Sequence, residues 1–179
     1  MIEEEITNLR ALEVEDLGQL RDWRNADFVR ETCREYRLLN MEQQKRWFDS
    51  LLKTSPDTIM FGIENKEGKL IGVCGLTRIN WKNGNAEVSI YIGEREWQEK
   101  GAATDSLKTL VKYGFETLNL HGVYAIIFEF NKPSIKLFEK YGFKFEGKHR
   151  EAHYIKGRYW DELVYGMLRE EYDKRCSDS

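Results

Sequence analysis

Prolines are scarce in this chain, two in 179 residues, and no low-complexity stretch or internal repeat interrupts it. Nothing therefore marks a linker, and a chain of this length holds one core comfortably, so a single domain over residues 1–179 is expected. Long apolar runs are also missing. The longest, Val123 to Phe128, is far too short to span a bilayer, which predicts no membrane partner. Met1-Ile2-Glu3-Glu4-Glu5 lacks the basic and apolar regions of a secretion signal, so a cytoplasmic protein is expected. The cysteines, Cys33, Cys74 and Cys176, are an odd and scattered set without Cys-x-x-Cys spacing. That excludes a disulfide framework or a thiolate zinc site and predicts reduced thiols. Positive charge is not in excess either: 28 Lys and Arg stand against 31 Asp and Glu, for a net charge of -3 and a pI near 5.8. A nucleic-acid footprint is basic, so no nucleic-acid partner is expected.

What the chain does have is an alternation of strand and helix patterns. Ile6 to Leu12 reads as an opening strand, and Leu17, Leu20, Trp23 and Arg24 mark one side of a first helix. Asn40 and Gln43 have the spacing of a capping box, beyond which Met41, Trp47, Phe48, Leu51 and Leu52 recur at helical intervals and are expected in the core. Ile59 to Glu64 and Leu70 to Ile79 read as strands joined at Asn65-Lys66-Glu67-Gly68-Lys69. Asn83-Gly84-Asn85 then turns the chain into a third antiparallel strand. In that strand Ala86, Val88, Ile90 and Ile92 alternate with Glu87, Ser89 and Tyr91, giving one apolar and one polar face. A helix with Leu107, Leu110, Val111, Phe115 and Leu118 on one side follows, and then the apolar strand Val123 to Phe128. A right-handed crossover of this kind makes its two strands parallel. Pro133 suits the first turn of the next helix and Gly142 its end, and Lys144 to Ile155 and Arg158 to Leu168 form a hairpin turning at Lys156-Gly157. The fold class is α/β in the broad sense (α+β), a mixed and mostly antiparallel sheet flanked by helices.

The most informative stretch is Trp97-Gln98-Glu99-Lys100-Gly101-Ala102-Ala103-Thr104, a Gly-marked turn from strand to helix. The first N–H groups of a helix have no internal partner and lie at the positive end of its dipole, so a phosphate or pyrophosphate is a natural occupant. The same residues also suit an ordinary turn.

Joined to Asn131-Lys132-Pro133-Ser134 and Tyr141-Gly142-Phe143, the pattern Gln98-x-x-Gly101-x-Ala103 resembles the signature of the GNAT superfamily of acetyl-CoA-dependent N-acetyltransferases. The order of elements resembles that family over nearly the whole chain. The resemblance implies a GNAT fold in which two central parallel strands splay apart. Backbone groups near Ile90, Tyr91 and Ile92 would then pair with the pantetheine arm of acetyl-CoA as with a further strand. It implies that Gln98, Glu99, Lys100, Gly101, Ala102, Ala103 and Thr104 wrap the pyrophosphate, Gly101 and Ala103 being small enough to let phosphates approach the backbone. Asn131 and Ser134 match positions that touch the cofactor along its length. Lys136 or Lys140 would meet the 3′-phosphate, or else lies on a solvated helix face. The family uses no metal, and homodimers are common in it.

Direct attack by a primary amine needs a neutral nucleophile, a polarised thioester carbonyl and a proton for the leaving thiolate. Glu87, in Ala86-Glu87-Val88, resembles the place where some branches carry the carboxylate that accepts the amine proton. The alternative is an outward carboxylate paired across the sheet. The backbone N–H near Ile92 is the family's usual donor to the carbonyl. Many members carry a Tyr beside the sulfur where this chain has Phe138, which offers no hydroxyl. Ser134, Tyr141 or a water is left for that role, and a domain that binds acetyl-CoA without turnover stands as a rival reading.

For the acceptor, Trp23-Arg24-Asn25, Arg30 and Trp47-Phe48 resemble the amino-terminal part of acetyltransferases acting on nucleotide-linked amino sugars. Gly157-Arg158-Tyr159-Trp160-Asp161 resembles ribosomal-protein alanine and spermidine acetyltransferases almost as well. A diphosphate wants cations and a polyamine wants carboxylates. Arg24, Arg30, Arg34 and Arg37 lean toward a phosphorylated small-molecule acceptor, unless they merely pair with Asp22, Asp27, Glu31 and Glu35. The expected acceptor-binding residues are Arg24, Arg30, Trp47, Glu87 and Tyr159. His149, Glu151 and His153 alternate along a predicted strand and would share a face, a spacing compatible with a metal but lacking a fourth ligand. No metal is expected, and these side chains would line the acceptor side of the cleft.

Overall fold

The computed structural model describes residues 1–52 and 57–177. A two-residue strand, β1 (Ile2–Glu3), precedes β2 (Thr7–Ala11), which lies inside the predicted opening strand. Helix α1 (Leu17–Asn25) buries Leu17, Leu20 and Trp23, and a single turn, α2 (Asp27–Arg30), follows it. Helix α3 (Met41–Ser50) starts at the predicted capping box: Asn40 Oδ1 accepts from Gln43 N and Gln43 Oε1 from Asn40 N, both at 2.9 Å. Its Trp47 and Phe48, with Leu51 just beyond, pack half-buried against Leu12, Leu20, Trp23, Leu70 and Val73, whereas Leu52 lies past the helix end and is exposed.

Strands β3 (Ile59–Asn65), β4 (Leu70–Asn80) and β5 (Asn85–Ile92) form the predicted antiparallel set. Helix α4 (Ala102–Lys112) runs into a π-helical turn at Tyr113–Thr117, and β6 (Gly122–Phe128) pairs parallel with β5. Helix α5 (Lys132–Tyr141) is capped by Asn131, whose Oδ1 accepts from Ser134 N at 3.3 Å, and stops at Gly142, φ +104°. The hairpin of β7 (Lys144–Ile155) and β8 (Arg158–Leu168) turns at Lys156-Gly157 as expected, and α6 (Arg169–Ser177) ends the described chain. Helix α6 was not legible in the sequence because it has no apolar stripe. Only Tyr172 is buried there, stacked on Phe115 at 4.8 Å and donating to Glu116 at 2.6 Å.

The sheet order is β1-β2-β3-β4-β5-β6-β8-β7. It behaves as two antiparallel blocks joined by a short seam. β5 follows β4 from Asn85 to Ile92 and β6 follows β8 from Gly122 to Phe128, but β5 and β6 pair only at Asn85–Gly122, Ala86–Val123 and Glu87–Tyr124. Each strand twists with its own antiparallel partner, so the two part beyond Glu87. One face carries the main core, where Ala86, Val88 and Ile92 of β5 pack with Leu107, Leu110 and Val111 of α4 and with Ile135 and Phe138 of α5. The other face carries the smaller core beneath α1 and α3. No helix among the described residues is long and apolar enough to cross a membrane.

One buried carboxylate ties the opening strand to the turn that matters for function. Asp105, in the first turn of α4, accepts on Oδ2 from Thr7 N and Thr7 Oγ1 at 2.8 Å and from Ile6 N at 3.1 Å. Its removal strands buried donors, so Asp105→Ala is expected to cost about 2–4 kcal/mol and to lower Tm by about 5–15 °C, read by thermal unfolding of the variant beside wild type. An unchanged Tm would show that water replaces the carboxylate.

Candidate active site

Beyond Glu87 the β6-facing edge of β5 has no partner strand among the described residues, and its backbone groups open into a cleft. Toward the start of α4 the cleft is a cavity of about 530 Å³. Ile90, Tyr91 and Ile92 form its strand wall and Gln98, Glu99, Gly101, Ala103 and Thr104 its turn, while Asn131, Ser134 and Lys136 close it from α5. The turn reaches this position through two left-handed residues, Glu99 at φ +62° and Gly101 at φ +87°. The first N–H groups of α4 lie behind them without intrahelical partners. A strand edge rich in free amides followed by a helix N-terminus fits an amide-containing arm that ends in a pyrophosphate.

The other end of the splay is a narrower chamber of about 220 Å³, walled by Val88 to Tyr91 of β5 and by Ala125 to Phe128 of β6. Asn131, Ser134 and Phe138 come in from the α5 side, and Thr32 to Glu35 from the connection after α2. Thr32, Ile90, Tyr91, Asn131 and Ser134 line both cavities, so the two are one channel. A third cavity, of about 440 Å³, lies between the sheet and α1 and α3 and meets the chamber at Arg24, Glu35, Ser89 and Tyr91.

Glu87 stands at the chamber's inner end, 2% exposed. The sheet face it occupies was expected to be polar; it is polar but covered. Arg34 Nη2 donates to Glu87 Oε1, and Arg78 Nη1 lies 3.3 Å from Oε2 without an aligned hydrogen bond. Tyr91, on the same face, meets the edge of Trp23 at 6.4 Å, and burial pushes its phenol well above the ordinary range, so it stays protonated. Behind Phe128 of the chamber wall, whose ring lies 4.6 Å from that of His153, His153 Nε2 lies 2.5 Å and His149 Nδ1 3.4 Å from the Glu162 carboxylate. Burial alone would raise the Glu162 pKa, but the two histidines outweigh it and hold it below its usual value.

Residues 9–164 match the acetyltransferase (GNAT) domain family. The chain belongs to the GNAT acetyltransferases. Within that family it is similar to the uncharacterised N-acetyltransferase p20 of Bacillus licheniformis, 38% identical over 63% of each chain, less than two thirds of that relative's length. It is similar to the spermidine N(1)-acetyltransferase of Vibrio cholerae, 29% identical over 93% of this chain and 95% of the other. A crystal structure of spermidine N-acetyltransferase from Vibrio cholerae in complex with CoA and spermine superposes with a TM-score of 0.87 at 29% identity, over 93% of this chain and 97% of that one.

In this GNAT chain the structure brings most of the expected residues together but not all. Lys100 and Ala102 are not among the channel-lining residues: Lys100 lies over the Trp97 ring at 5.5 Å, and the Ala102 side chain points into the main core. Tyr141 is corrected as a proton donor. It is buried in the main core against Arg175, its pKa pushed up to about 12 by burial, because it closes the inner face of α5 rather than the face turned to the channel. Tyr159 is corrected as well, since it sits 61% exposed at the hairpin tip, ring to ring with Tyr154 at 5.1 Å, and lines none of the three cavities. The shared face of His149, Glu151 and His153 is undone by a register shift in β7. Glu151 takes φ +51° and gives its N–H to Asp161 at 2.9 Å, leaving the two histidines alone on Glu162.

The arginines divide in the same way. Arg30 pairs with Asp27 at 2.5 Å and Arg37 with Glu35 at 2.7 Å, and Arg34 is taken by Glu87. Arg30 lines none of the cavities, whereas Arg24 and Trp47 line the acceptor side. Phe28 and Val29, which wall the donor cavity, were missed because a single helical turn and an irregular connection carry no periodicity to read.

Proposed function

We infer that this enzyme moves the acetyl group of acetyl-CoA to a primary amine of a polyamine by direct attack. The observation that carries the acceptor is the end-to-end likeness to spermidine acetyltransferases, combined with two carboxylates at the acceptor end, Glu87 and Glu35, that each hold an arginine of the chain's own. Glu87 and Glu35, which line the chamber, offer the negative groups that an oligoamine wants. The expectation of a nucleotide-linked amino sugar loses its main support, since three of the four arginines behind it are neutralised within the chain.

On this reading Tyr91, Ile92, Gln98, Glu99, Gly101, Ala103, Thr104, Asn131, Ser134 and Lys136 hold the donor, and the chamber at Glu87 receives the amine. Glu87, directly or through a water, accepts the proton that the amine sheds as the C–N bond forms. A backbone N–H near Ile92 polarises the carbonyl. As the C–S bond breaks, the thiolate takes a proton from Ser134 or a water, because Phe138 fills the neighbouring wall without a hydroxyl. A CoA thiol is a fair leaving group, so turnover tolerates the lack of a phenol there. The Vibrio cholerae relative is described as dodecameric, and a homo-oligomer is part of the reading for this chain.

One observation favours a second acceptor, an amine that also carries an anionic group: Arg24 is shared by the chamber and the third cavity, and although its charge acts on Glu35, it is not held in a contact ion pair with a described carboxylate. Mass spectrometry of acetyl transfer to a pool of spermidine, spermine, nucleotide-linked amino sugars and peptides with free Ala or Ser termini separates the two. Acetylated polyamine is the expected product. Acetylation of the amino sugar alone would put the second acceptor in its place, and acetyl-CoA binding without any transfer would leave the silent binder.

A further inference from the structure

Arg34 sits where an acceptor would have to be. Its guanidinium comes from residues 31–40, which form no regular helix or strand, reaches 53 positions along the sequence and donates to the buried Oε1 of Glu87. Its side chain is 35% exposed while that of Glu87 is 3%, so the cation lies between the open cleft and the carboxylate. The chamber it enters is lined on its far side by Asn131 and Ser134, the residues shared with the donor cavity. A base must have a lone pair within hydrogen-bond reach of the proton that it takes. With Arg34 on Oε1 and Arg78 beside Oε2, both carboxylate oxygens of Glu87 face guanidinium groups.

We propose that Arg34 is a specificity-determining residue that holds the acceptor-ammonium position on Glu87 until a cationic amine exchanges with it. This rests on the reading of Glu87 as base and of the acceptor as a polyamine. A primary ammonium matches a guanidinium in charge and in N–H donors, so the exchange never leaves the buried carboxylate without a partner cation. An uncharged molecule arriving at the same place would leave the buried Oε1 without its charged partner and Arg78 as the one cation beside Oε2, which low-dielectric surroundings penalise. Arg34 therefore admits cations and holds off neutral competitors, water-borne attack included. The segment that carries it is anchored at both ends, by Thr32 Oγ1 and N on Val29 O and by the Asn25 side chain on Leu39 N and O, so the exchange needs movement only of the stretch between them.

Two measurements test this. In steady-state kinetics Arg34→Gln is expected to lower the acceptor KM about tenfold, with kcat and the acetyl-CoA KM within about twofold of wild type, and Arg34→Lys to restore most of the wild-type KM. A KM that rises in Arg34→Gln would make Arg34 a contact to the acceptor, and one that stays put would mean that no exchange takes place; either overturns the proposal. The second measurement needs no turnover. In arginine-labelled wild-type protein, the Nε–H signal that Arg34→Lys removes is expected to shift as n-butylammonium is added in the presence of CoA. A signal unmoved at saturating amine overturns the exchange. Absence of any acetylated polyamine in the pooled assay, with that signal still moving, would discard the polyamine reading and leave the exchange standing for another cationic amine.

Discussion

Glu87→Gln is expected to lower kcat about 10²–10⁴-fold while acetyl-CoA binds as in wild type, within about twofold. The amide keeps the shape of the side chain and an oxygen toward Arg34, but it cannot take up the proton that the amine must lose. The fold is expected to survive, because the two cations left behind are not sealed in: the Arg34 and Arg78 side chains are 35% and 60% exposed and reach water. The check is CoA release at saturating donor and acceptor, paired with calorimetric binding of acetyl-CoA. A kcat within threefold of wild type would leave Glu87 as a structural anchor for Arg34 and Arg78 and would move the base to a water held elsewhere in the chamber. Loss of donor binding as well would mean that the strand wall had shifted, and then the rate could not be assigned to proton transfer.

The second large effect is expected at the opposite end of the channel. Gly101 takes φ +87° and ψ -10° as the residue that caps α4, a conformation costing an L side chain roughly 1–2 kcal/mol. A Cβ built there would come 3.1 Å from Ile6 Cδ1, tighter than normal packing. In Gly101→Val the turn must move to relieve both, and it carries the first N–H groups of α4 out of line with the cavity. The acetyl-CoA KM is expected to rise about 10–100-fold, since a displacement near 1 Å at a positioning element costs on that order. The acceptor KM should hold and Tm should fall by about 2–8 °C. A Tm drop without a change in donor KM would show that the turn shapes stability but not the pyrophosphate site.

These two residues show how unevenly the site could be read from the chain. The Gly101 turn was legible because positive-φ glycine ahead of a helix is a local device, specified within a few residues by backbone sterics. The same is true of the Asn40 and Gln43 capping box and of the Asn131 cap on α5, both present as the spacing predicted. Tyr141 and Tyr159 were misread because a sequence motif says that a hydroxyl is nearby in the chain but not which way it faces. Tyr141 falls on the inner side of α5, and Tyr159 falls at an exposed hairpin tip, where its ring meets only that of Tyr154 among the described aromatic residues. The alternation that put His149, Glu151 and His153 on one face failed at Glu151, because the irregularity between His149 and His153 turns that residue out of the pattern while both histidines still meet Glu162, and no local signal announced it.

By itself, then, the amino-acid sequence determined the local grammar: strand and helix periodicity, caps, turns, the parallel crossover from β5 to β6, and the family to which they belong. Those features arise from interactions within a few residues or from the handedness of the backbone, so they are written in spacing. Only the tertiary structure decided which charges meet. Arg34 and Glu87 are 53 residues apart, Thr7 and Asp105 98, and Arg34 finds Glu87 rather than its neighbour Glu35 because the connection after α2 crosses the splayed end of the sheet. Coulomb attraction falls with distance in space and takes no account of distance along the chain. The number of arginines at the acceptor end could therefore be counted from the sequence, but whether they face a ligand or the chain's own carboxylates was fixed by packing alone.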